Sequence, residues 1–140
     1  DRAIPDHPML ALALRYGAVA SVLAFATGIA MSVLQGRVVS GTGDLMPLHA
    51  AGFHALQAVP IVALLVGPLH AGNADARGIV HLAGIGWLVL CVGLLLQALT
   101  GNPTLVPSGA LALAGAGALT WVAALALSLR ERHRLVPAVA

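Results

Sequence analysis

The chain has 140 residues, of which 59% are hydrophobic and 9% charged, with a formal net charge of +2. Soluble domains carry about 25% charged residues, so a surface this poor in charge is excluded from water and must face lipid. Arginine supplies all seven cations, the single Cys91 excludes an internal disulfide or a CxxC site, and no basic stripe with interleaved aromatics exists to grip nucleic acid.

Taken in chain order, Asp1 to Pro8 is too polar for a signal peptide. The first apolar stretch is therefore expected to stay as a span, over about 8–35, with Arg15 its only charge. Gly36 to Pro47 (GRVVSGTGDLMP) reads as a polar, glycine-rich loop whose Pro47 suits the first turn of the next helix. The second span is expected over about 48–70. It contains Pro60 and Pro68, and a kink is expected near Pro60. Ala71 to Gly78 reads as a polar turn, 79–100 as the third span, Gly101 to Pro107 as another turn and 108–129 as the fourth span. The last three spans contain no Asp, Glu, Lys or Arg. Each is close to the 20 or so apolar residues that cross a bilayer.

Loops this short make consecutive helices antiparallel neighbours. The expected fold is all-α: an integral membrane four-helix bundle of up-down-up-down topology, forming a single transmembrane domain. Arg2, Arg15, Arg77, Arg130, Arg132 and Arg134 fall on one side and Arg37 alone on the other. Arginine excess holds short loops in the cytoplasm, so both termini are expected there, in a bacterial cytoplasmic (inner) membrane. Arg15 is expected to snorkel to the cytoplasmic headgroups, and the RERHR run at 130–134 to act as a topological anchor.

Gly28, Gly84, Gly86, Gly93, Gly109, Gly115 and Gly117 lie in or beside spans among many alanines, the pattern that lets membrane helices approach closely. The fourth span is small all round, as in a helix packed on more than one side. Trp87 and Trp121 fall inside their spans, where they are expected to wedge between helices, with contact to a partner or pigment as the alternative.

Intramembrane polar residues are the functional candidates. His54 and Gln57, three apart, share a helix face, and Gln97 is expected at their depth, making a polar cluster that Thr27 and Met31 approach. His70 and His81, on either side of one turn, have the arrangement of axial ligands to a b-type haem. His54 and His81 are expected roughly 20 Å apart along the bundle. A copper site built from Met31, Met46, His49 and His54 is chemically reasonable, because thioethers and imidazoles suit that metal. For Cys91 the expectation is a buried small hydrophobe.

The segment from Gly43 to Pro60 (GDL…H…GFHALQ..P) resembles one found in small, uncharacterised four-span bacterial membrane proteins, with an echo in Leu96 to Pro103. The resemblance implies the four-helix fold and draws attention to Asp44, His54 and Gln57.

No span carries the acidic residue of a proton-coupled exporter. No paired cysteines suggest disulfide chemistry, and no serine–histidine or carboxylate pair suggests hydrolysis. The expected role is a non-catalytic subunit, in contact with the bilayer and with a membrane-protein partner or further copies of itself. Haem-mediated electron transfer through His54, His70 and His81 is the first alternative. A small-molecule channel or carrier is the second.

Overall fold

The computed structural model describes residues 7–67 and 74–135. It consists of α1 (Pro8–Val33), a two-stranded hairpin of β1 (Val38–Val39) and β2 (Gly43–Asp44), then α2 (Met46–Val66), α3 (Ala74–Leu99) and α4 (Gly109–Leu135). All four helices are long and apolar enough to cross a bilayer, the architecture of a multi-pass membrane protein.

Local chemistry sets the helix bounds. Pro8 and Pro47 sit in the first turns of α1 and α2, where a missing N–H costs no helical bond. The polar, glycine-rich segment between these helices is ordered as a hairpin. Val38 and Val39 pair antiparallel with Asp44 and Gly43, and Gly41 at φ 94° makes the reversal that glycine adopts most readily. α2 runs unbroken through the buried Pro60 and stops at Val66, because Gly67 takes φ 72°. The expected continuation to His70, with Pro68, lies outside the described residues. α3 begins at Ala74 rather than Ile79, and Asp75 occupies its first turn, where the helix dipole favours a carboxylate.

Two helix pairs form the body: α3 with α4 and, next in extent, α1 with α2. In the second pair Gly17 meets Leu56, Gly52 meets Ala20 and Ala24, and Gly28 meets His49. In the first, Gly93 meets Ala114, Gly117 meets Leu90 and Gly86 meets Trp121. In both, one residue number rises as the other falls. A Cβ on Gly52 would come within 2.6 Å of that of Ala24, so the backbones touch as small residues permit in lipid.

The two tryptophans join the pairs. Their rings meet edge to face at 5.3 Å. Trp87 donates Nε1–H to the Ala51 carbonyl at 2.9 Å and Trp121 to that of Ala58 at 3.1 Å, which ties α3 and α4 to α2. On one side of this clamp Met9, Ala13, Val59, Val62, Ala63, Val80, Ala83 and Ala124 form a core. On the other, Ala20, Leu48, Ala55 and Cys91 form a second, so Cys91 is a packing residue. Val22, Phe25, Ile29 and Leu119 point away from both cores and are exposed, as lipid-facing side chains are.

Candidate functional site

The polar side chains of the spans divide into those that hold the bundle together and those that do not. Asp44, at the end of β2, belongs to the first group. Its Oδ1 accepts the Met46 backbone N–H at 2.9 Å, and its Oδ2 lies 3.5 Å from Arg37 Nε. The Leu45 N–H is donated to the Arg37 carbonyl at 2.9 Å. One carboxylate thus satisfies an orphan N–H of α2 and ties the helix start to the hairpin.

Gln97 uses its whole amide within its own neighbourhood, and it does not join His54 and Gln57. It is 2% exposed. Its Nε2 donates to the carbonyls of Pro103 at 2.8 Å and Val106 at 2.9 Å, and its Oε1 accepts the Ser108 hydroxyl. Ser108 Oγ in turn accepts the Leu111 N–H at 3.0 Å, capping the start of α4. Carbonyls only accept, so the amide orientation is fixed. The expected depth of Gln97 fails for a countable reason. α2 ends and α3 starts earlier than the spans suggest, so Trp87 is level with Ala51 and Ala98 with Gly43. Gln97 therefore lies level with the hairpin, at the N-terminal end of α2.

The same register corrects the distance from His54 to His81. Their levels differ by roughly 5–8 Å along the axes, not 20 Å. They still do not converge. His81 Nδ1 is 2.8 Å from the Tyr16 hydroxyl on α1, with the rings edge to face. The Tyr16 ring fills the place a side chain at position 84 would need, so Gly84 exists to seat it. Tyr16, the only tyrosine in the chain, carries no motif, and only the fold reveals its bond. His70, the other expected haem ligand, lies outside the described residues. Thr27 is buried and donates to its own helix, at the Leu23 carbonyl.

His54 and Gln57 are brought together as their spacing predicts. His54 Nδ1–H donates to Gln57 Oε1 at 3.0 Å. Both side chains are exposed, in a row with Ala50, Ile61 and Leu64, which alternates steps of four and three and therefore forms one straight seam along the helix. Among the described residues, His54 Nε2 and the Gln57 amide N–H groups have no further partner. Other hydroxyls of the spans are engaged: Ser32, Thr100, Thr120 and Ser128 donate to carbonyls of their own helices, and Ser21 donates to the Gly52 carbonyl of α2.

The four expected copper ligands split. Met31, Met46 and His49 line one open groove of about 1050 Å³ between the end of α1 and the start of α2, with Phe25, Gly28, Phe53 and Arg37. His54 is not among its walls. Among the described residues no three His, Cys, Asp or Glu side chains cluster.

No family model matches the chain, and neither the curated proteins nor the solved structures yield a match to it.

Proposed function

We propose that this chain is a non-catalytic subunit of a larger assembly in a bacterial inner membrane. It threads the bilayer up-down-up-down with both ends cytoplasmic, and it docks through the outer face of α2. The observation that carries the proposal is the His54–Gln57 pair. His54 lies eight residues into α2 from Met46, about 12 Å along the helix, which is hydrocarbon depth. A polar group left unsatisfied there costs several kcal/mol, and among the described residues the amide hydrogens of Gln57 have nothing to bond. A hydrogen-bonding group on a neighbouring helix resolves that cost. The seam of Ala50, His54, Gln57, Ile61 and Leu64 has the spacing of a helix–helix contact.

The face of α4 supports the same reading. Only 17% of its apolar window is buried, against 44% for α2, and a Cβ on Gly115 would meet nothing within 4 Å. The proposed threading rests on the arginines: an up-down-up-down path puts Arg15, Arg77, Arg130 and Arg132 at one end of the bundle and Arg37 at the other, the asymmetry that orients short-looped membrane proteins.

The test is a His54→Leu/Gln57→Leu variant, followed by native mass and by energy transfer between labelled chains and their co-purifying partners in bilayers. Interhelical hydrogen bonds in membranes contribute about 1–2 kcal/mol in model helices, so association weakens by about tenfold while the thermal stability of the isolated bundle is kept. A wild-type protein that is monomeric and solitary in bilayers, or a variant that assembles as well as wild type, refutes the proposal.

A further inference from the structure

We propose that Met31, Met46 and His49 form a binding site for a soft monovalent metal ion, copper(I), at the outer end of the α1–α2 pair. The site is separate from the His54–Gln57 seam and stands whether or not a partner docks there.

The register builds it. Gly28 and His49 are in contact across the two helices, and the helices run in opposite senses, so Met31 stands level with Met46. On each helix the two positions are three apart and share a face. Three of the four corners of this square carry donors that soft metals select, two thioethers and an imidazole. The fourth corner, Gly28, carries no side chain, and the imidazole occupies the space: a Cβ there would lie 2.9 Å from His49 Cε1.

The imidazole is held as a ligand is held. Its Nδ1 is 2.9 Å from the Ala24 carbonyl, and because a carbonyl only accepts, Nδ1 carries the proton. In the neutral ring this leaves the Nε2 lone pair free. A backbone carbonyl on the second nitrogen is the usual way a metal-binding histidine is oriented. Edge-to-face contact with Phe53 at 5.0 Å, itself packed on Phe25 at 4.9 Å, fixes the plane of the ring. Among the described residues Nε2 has no partner, and His49 and both methionines line the open groove. Arg37, which also lines the groove, is a cation, but Asp44 sits 3.5 Å from it and offsets its charge. An ion held in an open groove by two thioethers and one imidazole stays reachable for exchange.

The experiment is anaerobic titration of copper(I) into the purified full chain in detergent, competed against a chromophoric copper(I) chelator. The same protein is then examined by copper X-ray absorption. The expected result is uptake near one ion per chain, with sulfur and imidazole neighbours. Met31→Leu/Met46→Leu, which conserves volume, abolishes uptake at unchanged helicity and melting. Gly28→Ala, which displaces the ring, weakens it by roughly 10–100-fold, the usual effect of disturbing a ligand's support. The remaining sulfurs are Met9 and Cys91, and Met9→Leu and Cys91→Ala retain wild-type uptake. The site is overturned if wild type takes no copper from the chelator, if uptake follows Cys91 or Met9, or if the bound copper shows no sulfur neighbour. The absorption measurement decides the matter even if the double variant fails to fold.

Discussion

Replacing Gln97 by leucine tests whether this residue is the clasp of the α3–α4 turn. The side chain is 2% exposed and makes three hydrogen bonds, to Pro103, Val106 and Ser108. Leucine fills a similar volume, so the change isolates hydrogen bonding from packing. The three partners do not lose equally. The Pro103 carbonyl still accepts the Val106 N–H, and Ser108 still caps Leu111 and can turn its hydroxyl. The Val106 carbonyl loses its partner, though it lies at an exposed residue. The one group left unpaired lies at an exposed residue, so no burial penalty is added. Intramembrane bonds average about 0.6 kcal/mol each, and three of them give an expected loss of about 2 kcal/mol, read as unfolding free energy in mixed micelles. Gln97→Glu sharpens the test. It keeps the shape but aims an oxygen at the two carbonyls that now receive N–H groups, so it is expected to destabilise more than leucine. A leucine variant within about 0.5 kcal/mol of wild type, or a glutamate variant more stable than it, refutes the clasp.

Gly84→Val places a side chain inside the Tyr16 ring. Overpacking costs about 1–3 kcal/mol, so melting falls by that equivalent and the tyrosine emission of the pair with His81 changes. Trp121→Phe keeps the aromatic contact with Trp87 but deletes the bond to Ala58, an expected loss of about 0.5–1.5 kcal/mol in the same unfolding assay. Asp44→Asn retains an acceptor for Met46 and loses the pairing with Arg37, which is 60% exposed. It is expected to cost less than about 1 kcal/mol, whereas Asp44→Ala, which also uncaps α2, costs about 1 kcal/mol more. Equal melting of the two variants would show that the cap contributes nothing.

Hydropathy alone carried the four helices, because runs of apolar residues between Pro- and Gly-marked breaks leave few alternatives. The pairing of His54 with Gln57 was equally legible, since it lies within one helix at a spacing of three. What hydropathy could not locate were the helix ends between α2 and α3. A membrane helix continues into polar sequence at the headgroups, as α3 does through Asp75 and Arg77, and a glycine ends α2 early. That small shift in a turn moves every level comparison between the two helices, which is why Gln97 was expected beside His54 and instead reaches the loop that follows it. The bonds from Tyr16 to His81 and from Asp44 to Arg37 were invisible for a different reason. Each joins residues whose meeting depends on tertiary register.

The segment from Gly43 to Pro60 therefore carries two separable jobs on one helix. Its inward positions are spent on the fold: Gly43 lets the hairpin press against Ala98, Asp44 caps, Leu48 and Ala55 fill a core, and Gly52 admits α1. Had its polar residues been selected only to hold the bundle, they would face inward too, as Gln97 does. His54 and Gln57 do not. They sit on the seam that α1, α3 and α4 leave uncovered, at a depth where lipid offers no hydrogen bonds, and they bond one another through only one donor and one acceptor of those they possess. Leucine at both positions would leave every interhelical bond of the monomer in place and remove a desolvation cost, so the isolated bundle is expected to hold or gain stability. That the pair costs the monomer and serves none of its contacts is what supports the docking proposed at this seam.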